Sequence, residues 1–265
     1  YMIEALLKTG RYSFTCLGGA MKHHDYTPVT VDPYGKDFLI VPVDGYGNDE
    51  TIRSALRKEK PDVLWFMTDP RFYEWLWEIE DEIRALVPMV YYHVWDNYPV
   101  PYYNKVYYDS TDYVVSISRV TEDIVRTCSP ESFGEHISHA VNSKYFYQFT
   151  SAEQLERVKS TRKKIIESSN EKFHNDKKKI FFWNNRNARR KQSGTLIWWF
   201  KEWLDKVGHE KATLIMHTDA RDQHGQDLPH LIQHLGVGDG QVLLSTNKVP
   251  PEELAIMYNA ADYTI

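Results

Sequence analysis

Short apolar runs alternate with longer amphipathic stretches along the whole chain. The apolar runs are rich in β-branched and aromatic residues and predict strands over 12–17, 38–43, 62–67, 88–94, 113–118, 135–141, 179–184, 212–217, 241–246 and 261–265. Apolar residues at helical spacing predict helices over 48–60, 71–86, 118–128, 193–207 and 250–260. This alternation is typical of parallel sheets with helices on both faces, so the predicted class is α/β.

The pattern is interrupted once, between Val141 and Lys177. Residues 151–173 have helical spacing but few apolar positions, which predicts an exposed connecting helix. A chain of 265 residues is also long for a single core. We therefore expect a first domain over 1–145, a linker helix within 146–176 and a second domain over 177–265.

Both ends of the sequence suggest a piece of a longer protein. Residues 1–10 begin inside a helix with no strand before them, and residues 261–265 stop within a strand. A doubly wound domain begins with a strand and covers its last strand with a helix. We expect the natural protein to continue beyond Tyr1 and Ile265.

Composition narrows the class of protein. A hydrophobic fraction of 42%, without a long uninterrupted apolar run, argues against a membrane-spanning chain and favours a cytoplasmic one. The net charge of −5 argues against a protein that coats nucleic acid. Cys16 and Cys128 lack the spacing of a disulfide framework or a zinc site, and His23-His24-Asp25 is better explained as a polar loop than as a metal site.

The most informative segment is 179–204, in which a buried-looking strand is followed by a basic loop and an amphipathic helix. In open α/β sheets such loops bind phosphates, because backbone N–H groups and the helix dipole favour an anion. Arg186 and Lys191 add two positive charges suited to a diphosphate. The alternative is a solvated basic loop without a ligand.

That loop, the strand 212–217 and the segment 241–265 together resemble the second domain of the retaining GT-B glycosyltransferases of family 4. The resemblance is strongest over Lys179 to Ile265. It implies two Rossmann-like domains with parallel sheets facing across a cleft, and it gives Arg186 and Lys191 the role of holding the donor diphosphate. The sequence departs from the family at Asn185, where the family usually has Gly, and at Gln192, which again replaces a usual Gly.

The same resemblance assigns further residues. Ser245, Thr246, Asn247 and Lys248 match the segment that contacts the nucleotide base through its backbone. In the first domain, His93 and Asp96 follow an apolar strand and match a His or His-Asp pair near the sugar and the acceptor, which makes them the candidate catalytic residues. A lone His in an aromatic run is more often a packed, hydrogen-bonded core residue than a catalytic one.

Two weaker matches belong to the first domain. His139 lies in a segment that resembles the end of that domain in the family, where a structural role is the better interpretation. Ser116 and Ser118 match a family serine, and a plain helix cap explains them equally well.

The implied activity is transfer of a sugar from a nucleotide-diphosphate sugar to an acceptor hydroxyl with retention of configuration. The fixed cations would stabilise the leaving diphosphate, so we expect no cofactor and no required metal. The partners would be the sugar donor and an unidentified hydroxyl acceptor on a glycan, lipid, protein or small molecule. No nucleic acid is expected, and a peripheral membrane contact would arise only through the acceptor. The family's paired Glu residues and the Gly-rich loop before the first helix are absent from this sequence.

Three alternatives remain open on sequence alone. One is a GT-B nucleotide-sugar epimerase, and another is a non-catalytic module that binds a nucleotide sugar or carbohydrate. The third is a nucleic-acid contact through the stretch from Arg157 to Lys191, which has thirteen Lys or Arg against three acids.

Overall fold

The structure is a computed structural model that describes residues 1–19 and 22–265. The chain forms two compact units, Tyr1–Val141 and Asn142–Ile265, called unit 1 and unit 2 below. Each unit has a four-stranded parallel sheet and its own hydrophobic core. The α/β class with two Rossmann-like units is therefore confirmed.

Unit 1 contains two sheets. The smaller has the strand order β1–β3–β2 and consists of β1 (Phe14–Gly18), β2 (Val29–Val31) and β3 (Gly35–Pro42), with β2 antiparallel to β3. The larger is fully parallel, in the order β4 (Leu64–Met67), β5 (Met89–His93), β6 (Tyr113–Ser116) and β7 (Gly134–His136). β7 covers only the first part of the strand predicted over 135–141. Rings of Phe14 and Trp65 pack edge to face at 6.3 Å and so connect the two sheets.

The helices of unit 1 are α1 (Met2–Leu7), α2 (Asp49–Glu59), α3 (Glu74–Trp77), α4 (Glu80–Arg84), α5 (Lys105–Asp109) and α6 (Arg119–Cys128). Short 3-10 helices cover Pro70–Phe72 and Tyr102–Asn104. The α6 helix begins at Ser118, whose hydroxyl accepts a hydrogen bond from the Thr121 amide, so the predicted cap is confirmed.

The continuous helix predicted over 71–86 is wrong. The backbone leaves the helical region at Tyr73 and again at Ile79, which divides the segment into a 3-10 turn, α3 and α4. These breaks place Leu76, Trp77 and Ile83 in one core cluster. Core packing thus outweighs the helical preference of the local sequence.

Unit 2 is a single parallel sheet in the order β10–β9–β8–β11, made of β8 (Lys179–Asn184), β9 (Ala212–His217), β10 (Val242–Ser245) and β11 (Tyr263–Thr264). Its helices are α7 (Ala152–Glu167), α8 (Ser193–Val207), α9 (Leu228–Leu235) and α10 (Pro251–Ala260), with 3-10 helices over Glu171–Phe173 and Arg189–Lys191. The helix α9, which Asp227 caps and Gly236 ends, was not predicted from the sequence.

Side chains of β8 alternate between two cores. Trp183 packs on one face, in the cluster that includes residues of α8 and α9. Ile180 and Phe182 pack on the other face, against residues of α7 and α10 such as Ile165 and Leu254. Helices therefore cover both faces of the sheet, as in a Rossmann domain.

The helix α7 belongs to unit 2. Val158 and Ile166 are buried, and the Arg162 guanidinium donates to the Ala260 carbonyl at 2.5 Å and to Asp262 at 2.9 Å. Ser151 and Gln154 form a capping box at its start. It therefore packs as a covering helix of this sheet.

Across the part of the chain that the structure describes, no helix is both long and apolar enough to cross a membrane.

Candidate functional site

The carboxyl ends of the parallel strands in unit 2 meet along one edge of the sheet. Asn184 at the end of β8 pairs with His217 at the end of β9, and His217 pairs with Ser245 at the end of β10. The loops that follow these three strands therefore leave from neighbouring positions. This is the edge at which open α/β sheets bind ligands.

Arg186 lies in the loop after β8 and is fixed by the loop after β9. Its Nε donates to Asp222 Oδ2 at 2.6 Å and its Nη2 donates to Asp222 Oδ1 at 3.2 Å. The Nη2 atom also donates to His224 Nδ1 at 2.9 Å. His224 Nδ1 also lies 3.3 Å from Asp222 Oδ1, so the three side chains form one contact cluster. Neither Asp222 nor His224 was predicted from the sequence as a site residue.

The ion pair changes both partners. Hydrogen bonds from the Arg186 guanidinium hold the pKa of Asp222 well below its usual range, and the same pair raises the pKa of Arg186. Asp222 is 11% exposed and Arg186 is 61% exposed. The arginine is therefore oriented by a nearly buried partner while much of its own surface stays open to a ligand.

Lys191 lies at the end of the 3-10 helix Arg189–Lys191, directly before α8. Its side chain is half-buried, and within the described ranges its amine makes no hydrogen bond or ion pair. Gln192, the next residue, adopts a left-handed conformation with φ of 53°. Left-handed backbone is easiest for glycine, so this position carries the conformation that the family's usual Gly would supply.

A buried polar cluster fixes the two loops to each other. Asn187 is fully buried, and its Nδ2 donates to the Gln226 carbonyl at 2.7 Å. Its Oδ1 accepts from Ser193 Oγ at 2.6 Å. The Gln226 side chain in turn accepts from the Gly194 amide, in the first turn of α8, at 2.8 Å. The arginine loop is therefore held at both Arg186 and Asn187.

The segment Ser245, Thr246, Asn247 and Lys248 lies at the same edge, after β10. Ser245 Oγ lies 2.8 Å from His217 Nδ1, and residues 246–248 are exposed. The buried Thr218 Oγ1, next to His217, has no hydrogen-bond partner within the described part of the chain. The structure thus places Arg186, Lys191 and this segment on adjacent loops of unit 2.

His93 and Asp96 lie in unit 1. The His93 ring, at the carboxyl end of β5, is fully buried between two tyrosines: Nδ1 lies 2.8 Å from the Tyr91 hydroxyl and Nε2 lies 2.7 Å from the Tyr108 hydroxyl. The Tyr91 hydroxyl donates to the Thr68 carbonyl at 2.6 Å, and the Tyr108 hydroxyl accepts from Asn104 Nδ2 at 3.3 Å. A continuous chain of hydrogen bonds therefore runs from Asn104 to Thr68.

The direction of each bond follows from the two ends of that chain. The Thr68 carbonyl can only accept, so it takes the single proton of Tyr91, and His93 Nδ1 must then donate to Tyr91. His93 Nε2 accepts from Tyr108. The ring is a neutral Nδ1–H tautomer, and burial lowers the pKa of His93 to about 3. This is the packed, hydrogen-bonded histidine that the sequence analysis kept as the alternative to a catalytic one.

The two remaining family positions in unit 1 are exposed. Asp96 lies three residues beyond β5 in the loop that follows it, outside the His93 hydrogen-bond chain. His139 Nδ1 lies 3.2 Å from the Tyr92 hydroxyl, and the two rings stack at 5.7 Å.

Thr68, at the end of β4, has a φ of 143°, a backbone conformation that is strained for a non-glycine residue.

Structural comparison identifies several proteins with the same architecture. An E. coli trehalose-6-phosphate structure bound with UDP-2-fluoro glucose has a TM-score of 0.66 at 11% identity and covers 99% of this chain and 73% of its own. The α,α-trehalose 6-phosphate synthase of Burkholderia multivorans has a TM-score of 0.63 at 9% identity, covering 99% and 72%. A glycosyltransferase from Rickettsia africae has a TM-score of 0.57 at 17% identity, covering 85% and 59%.

The fold is that of the GT-B glycosyltransferases. No protein-family model matches the chain, and no curated protein matches it in sequence. At identities of 9–17% the likeness establishes the fold of the chain, as the sequence resemblance predicted, and leaves its chemistry to be argued from the site.

Proposed function

We propose that this chain is a glycosyltransferase that moves a sugar from a nucleotide-diphosphate sugar to an acceptor hydroxyl with retention of anomeric configuration. The observation that carries the proposal is Arg186, an exposed arginine that a nearly buried carboxylate fixes at the carboxyl edge of a Rossmann sheet. Bound UDP-2-fluoro glucose in the structurally similar E. coli protein supports a nucleotide sugar as the donor.

Arg186 is suited to a diphosphate because its orientation is already set. Its Nε and Nη2 atoms contact Asp222 and His224, which leaves Nη1 free to donate to a phosphate oxygen within the described surroundings. A pre-oriented guanidinium loses little conformational freedom on binding. Lys191 supplies a second charge from the same loop, at the start of α8, where helix N–H groups also favour an anion.

The two cations would act on the leaving group. When the bond between the anomeric carbon and the diphosphate oxygen breaks, negative charge develops on that oxygen, and preorganised donors lower the energy of this state. Arg186 and Lys191 would provide this stabilisation without a cofactor or a metal. Ser245, Thr246, Asn247 and Lys248 would contact the base from the neighbouring loop, through their backbone.

In unit 1, we propose different roles for His93 and Asp96. The His93 ring is fully buried, and both of its nitrogens are hydrogen-bonded. We therefore propose that His93 holds the surrounding loops in position. Asp96 is exposed in the loop after the same strand and is the candidate for contact with the reacting sugar or the acceptor.

Calorimetry with UDP tests the diphosphate site without knowledge of the acceptor. Arg186→Ala and Lys191→Ala should each weaken UDP binding by about 1.5–3 kcal/mol, because each removes a charge-assisted hydrogen bond. That loss corresponds to a roughly 10- to 150-fold higher Kd. Arg190→Ala is the matched control, since Arg190 lies in the same 3-10 helix and is exposed.

The control should leave the Kd for UDP unchanged, as expected for a solvated charge. Equal small effects at all three positions would mean that the loop is a solvated basic surface without a ligand. If UDP-sugars bind but no product forms with any acceptor, the chain is a binding module, and formation of an epimerised nucleotide sugar identifies an epimerase. Binding to nucleic acid with a steep salt dependence would favour the third alternative.

A further inference from the structure

We propose that the loop after β5 forms a binding face for a neutral oligosaccharide, which makes a glycan the acceptor class of this chain. The face consists of Trp95, Tyr98, Tyr102 and Tyr103, called the aromatic face below. The word acceptor rests on the proposed function, whereas binding of the saccharide does not.

The aromatic face is unusually exposed. Tyr98, Tyr102 and Tyr103 are 56%, 64% and 70% exposed. Tyr103 and Trp95 pack edge to face, with ring centroids 6.1 Å apart, and Trp95 stacks on the buried His93 at 6.4 Å. Large aromatic rings normally bury most of their surface, so a group of exposed ones marks an interaction surface.

The loop that carries these rings is fixed in place. The Trp95 carbonyl accepts from Thr121 Oγ1 at 2.7 Å, and the Pro101 carbonyl accepts from Cys128 Sγ at 3.4 Å, so both bonds hold the loop to α6. Trp95 Nε1 donates to the Asn97 carbonyl at 2.9 Å. Asn104 donates to the Tyr108 hydroxyl and so belongs to the hydrogen-bond chain that includes His93. Rings on a fixed loop lose little entropy when a ligand binds.

Charge indicates which ligand fits. Lys105 is paired with Asp109 at 2.5 Å, and Asp96 adds an exposed carboxylate to the same loop as the rings. A surface with a paired lysine and an open carboxylate repels phosphate and other anions. The tyrosine hydroxyls, Asp96 and Asn97 instead offer donors and acceptors on the same loop. A saccharide matches this arrangement, because its C–H face covers a ring while its hydroxyls bond to polar groups.

The test is saturation-transfer NMR on the full chain with four soluble probes: maltohexaose, laminarihexaose, cellohexaose and chitohexaose. At least one should receive saturation from the protein. Tyr103→Ala and Tyr102→Ala should each weaken that binding about tenfold, as expected for a central aromatic contact. Phe133→Ala is the matched control and should not change it. Phe133 is 73% exposed and packs edge to face on Tyr113, but it precedes β7 at the opposite edge of the sheet.

Each result has a defined meaning. Absence of transfer to all four saccharides, or transfer that survives both tyrosine changes, overturns the proposal. If Tyr103→Ala instead abolishes self-association in sedimentation, the aromatic face binds a second copy of the chain and the proposal fails. UDP calorimetry on the same variants separates the two claims. Saccharide binding without UDP binding would contradict the proposed glycosyltransferase function and support saccharide binding at the aromatic face. UDP binding without saccharide binding would contradict only the proposal for the aromatic face.

Discussion

At the scale of single residues, the buried His93 ring couples the stability of unit 1 to pH. Burial lowers the pKa of His93 from 6.5 to about 3, so the folded chain resists protonation that the unfolded chain accepts. Only the hydroxyls of Tyr91 and Tyr108 contact its ring nitrogens within the described residues, and neither carries a charge at these pH values. A depressed folded pKa gives a stabilisation that is complete above pH 6.5 and is lost as the pH falls towards 3.

We expect the free energy of unfolding to fall by about 1.6 kcal/mol from this group between pH 6.5 and 5, because the change approaches about 1.4 kcal/mol per pH unit once the unfolded ring is largely protonated. Urea titrations of the wild-type chain and of His93→Gln at the two pH values measure it. The variant lacks the titrating ring, so its stability should depend less on pH by that amount. Identical slopes for the two proteins would show that His93 is protonated as easily in the folded chain as in the unfolded one.

The residue scale also shows where sequence reasoning reaches its limit. Arg186 was identifiable from its position after a strand and before a helix. Its partner Asp222 lies 36 residues further along the chain, in a loop whose composition gave no signal beyond its polarity. Only the side-by-side pairing of β8 and β9 brings the two loops together. The sequence therefore predicts which cation is present, and the fold determines what orients it.

At the scale of elements, prediction succeeded where one physical signal dominated. β8 and β9 match their predicted ranges because both are buried on two faces and read as continuous apolar runs. α8 likewise begins at Ser193 and ends at Val207, as its spacing predicted. The prediction of one helix over 71–86 was wrong because core packing determines where the aromatic residues of this segment lie. The helix α9 was not predicted because it is short and contains Pro229 at its start.

Gly225 should be essential for the contact between the two loops of the candidate site. A Cβ at this position would lie 1.9 Å from the Asn187 carbonyl oxygen, and backbone on both sides limits any adjustment. We expect Gly225→Ala to lower the free energy of unfolding by about 1–3 kcal/mol through overpacking. It should also weaken UDP binding, because displacement of this loop moves Asp222 away from Arg186. Urea denaturation and calorimetry measure the two effects.

Gly238→Ala is the matched control for that change. A Cβ at Gly238 meets only Ile232 Cγ2, at an ordinary distance of 3.6 Å. Alanine there should leave the stability unchanged or raise it by about 0.4–1 kcal/mol, since it restricts the unfolded chain. UDP affinity should stay the same. Equal losses of stability at both glycines would contradict a specific role for the loop contact.

At the scale of the whole molecule, the two proposed ligands belong to different units. Arg186, Lys191 and the segment 245–248 all lie in unit 2, whereas the aromatic face lies in unit 1. Unit 2 covers both faces of its own sheet with four helices and has its own core clusters. The residues proposed to bind the nucleotide diphosphate therefore all lie in unit 2.

This separation predicts that residues 142–265, expressed alone, fold and bind UDP. The side chains that orient Arg186, namely Asp222 and His224, are part of the same unit, as is the Asn187 cluster. We expect the Kd for UDP to stay within about threefold of that of the full chain, a difference below 1 kcal/mol. Calorimetry on both proteins measures it, after circular dichroism and a cooperative thermal transition have shown that the fragment is folded.

Arg186→Ala in the fragment is the control, and it should weaken UDP binding by the same factor as in the full chain. Equal factors would mean that the arginine acts within unit 2, because a contact supplied by unit 1 would add a further dependence in the full chain. A folded fragment that binds UDP more than tenfold more weakly than the full chain would show that unit 1 supplies part of the donor site. In that case Asp96, exposed in the loop after β5, would be the first residue to change in the full chain.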